Sequence, residues 1–332
     1  MKKIKFFTII ILSLVLVLAL TACISAKSLK DINVFFIVKA SANDYWQTVK
    51  DGGRVAAKEY GINITFQEPA TEKEVAKQVS ILNTAILTHP DAIVIAPTVT
   101  DSLVPGIEKA MDEGIKVIII DSSASTENYI SFLASNNYEG GKMAADIFAA
   151  FVKQKCGKIE GKVGVTGSLA GVNTQRERIG GFLDQIKANY PGLEPLEVQY
   201  NENETSKAIA NASNMFTAHP KDLAGIYGAN GPSVNGITRA IEISGVDISK
   251  MTFVGFDAEP MEVDALKKGI IDALIVQRPW NMGYYGVVFA INAIQDVSVP
   301  KNVDTGLAVV TKANMDTVGK SVLNPIEYYK NR

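Results

Sequence analysis

Ile32-Asn33-Val34-Phe35-Phe36-Ile37-Val38 decides the fold. The run is apolar on both faces of the strand it would form, so that strand needs cover above and below. Only a parallel sheet sandwiched between helix layers supplies both. The neighbouring residues agree with that reading. Asp44 to Tyr60 carries Trp46, Val49, Val55 and Ala56 at helical spacing and stops at Gly61, a C-cap residue. Ile62 to Phe66 reads as a second strand, Glu72 to Leu87 as a helix stopped by His89-Pro90, and Ala92 to Ala96 as a third strand. A helix over Ser102 to Asp112 and a fourth strand over Ile115 to Ile120 come next.

The rhythm resumes downstream. Strands are expected at Lys162 to Val165, Pro195 to Tyr200, Gly225 to Gly228, Thr252 to Phe256 and Ala273 to Val276. Helices are expected at Gln175 to Ala188, Ser206 to Ala218, Ser233 to Ile243, Met261 to Lys268 and Met282 to Ala293. About nine strand–helix units exceed one sheet of ordinary size. The expected fold is therefore α/β, with two doubly wound parallel-sheet lobes. With 332 residues, 47% of them hydrophobic, the chain can bury cores for both.

The N-terminus reads as an export signal. Lys2, Lys3 and Lys5 precede an uninterrupted apolar run from Phe6 to about Leu20, short for a spanning helix, which needs ~20 residues. Leu20-Thr21-Ala22-Cys23 then resembles a bacterial lipobox. That resemblance implies a signal peptide over 1–22, lipidation of Cys23, and a tether over 23–31. Two or more acyl chains hold a protein stably on a cell membrane. Removing the three lysines leaves 30 basic and 35 acidic residues, a net charge of −5. Nothing in that balance favours nucleic acid. Cys156, the only other cysteine, cannot pair with an acylated Cys23 and is expected at a helix end.

Ligands of open parallel sheets sit beyond the carboxyl ends of strands. That rule selects Lys39 to Trp46, Thr98, Asp121-Ser122, Ser168 to Arg178, Asn201 to Asn203, Asn230, Asp257 and Gln277. These stretches are rich in carboxylates, amides, guanidinium groups and aromatics. Sugar hydroxyls both donate and accept, and so pair with such groups, while sugar C–H faces stack on rings.

At these positions the chain resembles the ribose/galactose branch of the type I periplasmic binding proteins. The resemblance runs from Val34 to about Val310. It is carried by Asn43-Asp44-Tyr45-Trp46, Ile119-Ile120-Asp121, Ala134-Ser135-Asn136-Asn137, Arg176-Glu177-Arg178-Ile179-Gly180-Gly181-Phe182, Thr217-Ala218-His219-Pro220, Val254-Gly255-Phe256-Asp257 and Ala273-Leu274-Ile275-Val276-Gln277. It implies three hinge crossovers, near Ser135, Gln277 and Leu307. Lobe 1 would then comprise 32–135 plus 278–307, and lobe 2 would comprise 136–277 plus 308–332. It further implies a monomer that closes on a small sugar-like ligand and delivers it to an ABC permease without catalysis or cofactor. Carried over, the ligand-binding residues are Asn43, Tyr45, Trp46 and Asp121 from lobe 1, and Arg176, Asn230, Asp257 and Gln277 from lobe 2.

Three positions depart from the family's pattern. Ser122 stands where an Arg is usual, Lys39 where a small polar residue ends the first strand, and Asn203 where a second stacking aromatic lies. Lys39 is expected to replace part of the missing guanidinium, so Lys39, Ser122 and Asn203 join the candidate site. A Lys ending the first strand also occurs in autoinducer-2 receptors, so a sensor of a sugar-derived signal stays as the alternative. A LacI-like effector lobe shares the architecture but lacks the export signal. The motifs HExxH, CxxC, GxSxG and Walker A are missing, and no metal site is expected from two His residues.

Overall fold

A computed structural model describes residues 27–41, 44–323 and 325–330. The signal segment, Cys23 and Asn43 lie outside them. The first sheet contains β1 (Asn33–Ile37), β2 (Asn63–Gln67), β3 (Ala92–Ile95), β4 (Lys116–Ile120), β5 (Ser131–Ala134) and β12 (Asn302–Asp304). Their order is β12-β5-β4-β3-β1-β2, and every pairing is parallel. The second sheet contains β6 (Gly161–Gly167), β7 (Leu193–Pro195), β8 (Gln199–Tyr200), β9 (Leu223–Gly228), β10 (Thr252–Phe256), β11 (Ala273–Val276) and β13 (Ala308–Thr311). Here the order is β13-β11-β10-β9-β6-β7, with β8 also on β6. The two orders are the same winding used twice. They differ at the last strand, since β13 is antiparallel to β11.

The opening stretch behaves as its composition demands. Val34, Phe36 and Val38 face the helices α1 (Asp44–Tyr60) and α9 (Pro279–Ile294). Phe35 and Ile37 face Ile81, Leu82 and Ile86 of α2 (Val75–Leu87) on the other side. Chain passage between the sheets occurs three times, between Ala134 and Asn137, between Val276 and Pro279, and between Asp304 and Ala308. The strand expected at Pro195 to Tyr200 is split into β7 and β8. The twenty-residue helix α4 (Asn137–Cys156), not read from the sequence, opens the second sheet's helix layer. It is capped by Asn136, whose side chain accepts from the Glu139 N–H, and ends at the left-handed Gly157. Its last residue is Cys156, which is exposed.

In each lobe a helix pair touches backbone to backbone through two facing glycines. In the first, a Cβ on Gly283 would lie 1.8 Å from the Val49 carbonyl, and one on Gly52 would lie 2.1 Å from the Trp280 carbonyl. In the second, α4 meets α5 (Asn173–Asn189), where a Cβ on Gly141 would lie 2.1 Å from the Arg178 carbonyl and one on Gly181 would lie 2.0 Å from that of Tyr138. Gly180, next door, has nothing within 4 Å of its Cβ. Gly283→Ala is therefore expected to lower stability in urea unfolding by about 1–3 kcal/mol through overpacking. Gly180→Ala should be neutral or stabilising by about 0.5–1 kcal/mol.

Candidate functional site in the cleft between the sheets

The first lobe's half of the site is built on the ends of β1 and β4. Lys39 and Asp121 are almost fully buried and form an ion pair at 2.6 Å. The Ser122 hydroxyl closes the triangle, accepting from Lys39 Nζ at 2.5 Å and donating to Asp121 Oδ2 at 2.9 Å. Asp121 sits at φ 65, and the Ser122 N–H reaches back to the Ile120 carbonyl at 2.7 Å. Such a tight turn is costly for a residue with a side chain and is held by its surroundings. Tyr45 Oη donates to Asp121 Oδ1 at 2.7 Å. Burial pushes the Asp121 carboxyl up, but the Lys39 ammonium and the hydrogen bonds from Lys39 and Tyr45 outweigh it and hold it below the usual range. Burial, followed by the Asp121 and Asp257 charges, keeps the Tyr45 hydroxyl protonated well above its ordinary value. Trp46 is edge-on to Tyr45 at 4.9 Å between centroids and donates from Nε1 to Glu72 at 3.0 Å.

The second lobe mirrors this arrangement. Asp257 ends β10 as Asp121 ends β4, again left-handed, at φ 84. Its cation is Arg178, 3.6 Å away and 4% exposed. Arg178 Nε donates to Asn137 at 2.8 Å, Nη1 donates to the Ala229 carbonyl at 3.1 Å, and the guanidinium stacks 3.9 Å from the Phe256 ring centroid. The glycine contact between α4 and α5 fixes the backbone from which this side chain departs. Gln277 donates to Asp257 at 2.7 Å. Burial raises the Asp257 carboxyl above its ordinary range, with Arg178 and Gln277 opposing and the Asp121 charge adding to the rise. An amide relay runs beside it. Asn201 donates to Ser233 at 2.6 Å, Ser233 to Asn230 at 2.5 Å, and Asn230 to Asn203 at 2.9 Å.

Both halves face one cavity of about 50 Å³. Of the residues expected from sequence, Lys39, Tyr45, Trp46, Asp121, Asn203, Asn230, Asp257 and Gln277 line it together. Two expectations need correction. Arg176 is exposed and donates to Asn173 at 2.7 Å, so the guanidinium at the cleft belongs to Arg178. Two residues on a helix lie about 200° apart, so only one of them can face inward. Ser122 stands behind Lys39 and Asp121, lining a separate chamber of about 430 Å³ toward the crossovers. Glu72 and Glu259, not singled out from sequence, also line the cavity. Both come after strand ends, β2 and β10.

The lobes are in contact around this cavity. Lys73 of the first is paired with Glu202, at 3.4 Å, and with Glu204 of the second. Asn173 donates to Ser123 at 3.4 Å, and Tyr45 Oη lies 3.4 Å from Gln277 Oε1. Outward lies a chamber of about 440 Å³ that shares Glu72, Asn203, Pro232 and Glu259 with the cavity. Among the described residues no helix is long and apolar enough to cross a membrane, and no group of His, Cys, Asp and Glu gathers to hold a metal.

The periplasmic binding protein domain model matches residues 34–296. The chain is 28% identical to the ribose import binding protein of Escherichia coli over 304 residues, 90% of this chain and 97% of that one. Among solved structures, it is similar to a carbohydrate transporter solute-binding protein of Agrobacterium radiobacter in complex with D-arabinose. The TM-score is 0.85 and the identity 34%, covering 89% of this chain and 99% of that one. A solute-binding protein of Agrobacterium vitis with bound D-fucose gives 0.81 and 36%, covering 88% and 99%.

Arg178→Met should cost about 3 kcal/mol in equilibrium unfolding, because Asp257 is left buried without its cation. With its folded-state pKa raised further, Asp257 prefers to stay protonated in the fold, so the loss should grow as pH rises and shrink toward pH 4. Arg176→Ala should stay within about 0.5 kcal/mol.

Proposed function

The chain belongs to the periplasmic binding protein family, and on that premise we propose that it is the extracytoplasmic receptor of an ABC transporter, closing on a small sugar-like molecule. One observation carries the reading. Groups from the ends of two separate sheets line a single cavity in which every charge but two is already paired. Hydroxyls need directional partners that do not reorganise, and the site offers them. Asp121 and Asp257 accept, Arg178 and Lys39 donate, and Asn203, Asn230 and Gln277 do both. Trp46 and Tyr45 supply flat apolar surface for the C–H face. The names of the relatives and the bound pentose and hexose derivatives in the similar structures support this class of ligand.

Closure turns binding into a signal. In the closed form a permease meets both lobes in one fixed arrangement; in the open form it does not. Binding and release without turnover is the reading that its family supports. Lys39 takes the place of a guanidinium at Asp121, with Ser122 leaving room for it. The export signal read over 1–22 and the lipobox-like Cys23 support a receptor on the outer side of the cell membrane, held by its lipid. Acid-cleared membranes should yield a chain starting at a diacylglyceryl-Cys23 by mass spectrometry, and Cys23→Ala should move the protein to the soluble fraction. An unmodified wild-type N-terminus overturns the anchor.

A panel of pentoses, hexoses, polyols and furanose-type sugars should contain one that raises the melting temperature by several degrees when present far above its Kd, from about 3–4 kcal/mol of linkage. Titration calorimetry with that ligand should give a Kd near ~1 μM, weakened at least about tenfold by Lys39→Ala. An unchanged Kd removes Lys39 from the site, and a panel without a binder overturns the sugar reading.

A further inference from the structure

We infer that the molecule this cleft receives carries a positive charge: a polyhydroxylated amine, such as an aminosugar or an aminoalditol, whose ammonium lies between Glu72 and Glu259. The inference rests on the reading of the cleft as a ligand site and narrows it to a substrate class.

Glu72 comes from the first lobe and Glu259 from the second, and both line the inner cavity and the outer chamber. Each is held in place by a neutral donor. Trp46 Nε1 donates to Glu72 at 3.0 Å, and Asn235 Nδ2 donates to Glu259 at 2.8 Å. Neither has an ion-pair partner among the described residues, and the cations that line the inner cavity and the outer chamber are already taken. Lys39 is paired with Asp121, Arg178 with Asp257, and Lys73 and Lys207 with Glu202 and Glu204. Lys267 and Lys320 line a neighbouring space that Glu259 also borders, but neither lines the inner cavity or the outer chamber and neither forms an ion pair with Glu259.

The charges that act on Glu259 are acidic, Asp257 first, then Asp44 and Glu72. Asp257 is two residues away. Glu262, one turn along the same helix, accepts from the Glu259 N–H at 2.6 Å, and its Oε1 has no partner. Burial, with the charges of Glu259 and Asp257, holds Glu262 well above its ordinary range. The outer chamber carries five carboxylates, Asp44, Glu72, Glu202, Glu204 and Glu259, against the single ammonium of Lys73. The Glu259 carboxyl is pushed up to about 7, first by burial and then by Asp257, with Asp44 and Glu72 adding.

Shutting the cleft brings these two carboxylates to opposite walls of one small space. A neutral guest leaves Glu259 buried beside Asp257, with Glu72 adding a weaker repulsion from the opposite lobe, and that cost is relieved when Glu259 takes up a proton. A guest with an ammonium removes the repulsion and restores the Glu259 charge. The preference for a cation over a neutral guest grows as pH rises through about 7, because in the shut cleft a cation keeps Glu259 ionised whereas a neutral guest requires it to hold a proton. A neutral guest is bound less tightly over the same range.

The test is calorimetric titration with matched pairs at about pH 5.5 and about pH 8.5: D-glucamine against D-sorbitol, and D-galactosamine against D-galactose, with D-arabinose as reference. Glucamine is the decisive probe, since an alkylammonium with a pKa of about 10 stays charged at both values. The expected result is that the amine of at least one pair binds about tenfold or more tighter than its neutral partner at the higher pH. That preference should shrink at the lower pH and disappear in Glu72→Gln/Glu259→Gln, whose fold is checked by circular dichroism melting. If neutral polyols bind and no amine binds better, or if the double variant keeps the preference, the inference is overturned while the sugar reading stands. If nothing in the panel binds, both are overturned.

Discussion

Two buried ion pairs set the terms on which this protein can keep a polar hole between two apolar sheets. Lys39 with Asp121 and Arg178 with Asp257 are each supplied by one lobe alone. A buried charge without a partner costs several kcal/mol, and a guest of moderate affinity cannot supply that for each group. Because each lobe neutralises its own charges, either half can exist without the other, and opening the cleft strands no ion. The pairs also freeze their members. Asp121 is engaged by Lys39, Ser122 and Tyr45 at once, so it meets a guest with its lone pairs already oriented.

The same device appears twice because the same winding appears twice. Asp121 and Asp257 come after strands at the same place in sheets of equal order, both in the left-handed region, and each N–H bonds the neighbouring strand, to Leu133 and to Ile275. The strained turn aims the carboxylate off the strand end and into the cleft. An extended residue there would continue the pleat and point at a helix layer. The symmetry stops at the cations, which come from a strand end in one lobe and from a helix in the other. Their reach differs accordingly. Lys39 touches its carboxylate at 2.6 Å, whereas Arg178 stands off at 3.6 Å and spends its donors on Asn137 and Ala229. The two carboxylates respond in opposite directions, Asp121 held down and Asp257 pushed up.

How much of this was legible in the sequence depended on the range of the interaction. The double-faced apolar run of β1 and the repeated strand–helix alternation are local properties, and they led to the architecture. The strand-end rule found most of the cavity wall, because it depends on topology alone. The choice of Arg176 over Arg178 went wrong because a motif gives order along the chain without the rotation of the helix. The rotation was nevertheless encoded: Gly181 must face α4, and a residue three positions earlier shares that face, which selects Arg178. Glu72 was hidden for a different reason. It comes after a strand whose own burial alternates, so it reads as ordinary surface until Trp46 and the second lobe enclose it. α4 is poorly legible because three of its five buried apolar side chains are alanine and its cover is a glycine seam, which hydropathy alone does not register.

The closed arrangement also shows how weak forces balance around strong ones. At the mouth, Lys73 reaches across to two carboxylates of the other lobe, favouring closure. Inside, Glu72 and Glu259 oppose it. Both terms act only when the lobes meet, so both belong to the open–closed equilibrium and neither to the stability of a single lobe. The outer one is exposed and screened by salt, while the inner one acts in a drier space where charges are felt more strongly. An empty receptor whose inner repulsion exceeds its outer attraction rests open and accessible. A guest shifts the population only by the difference in its affinity for the two forms. A group that turns the inner term from repulsive to attractive supplies that difference at one point in the cleft, without any change in the contacts that the guest's hydroxyls make elsewhere.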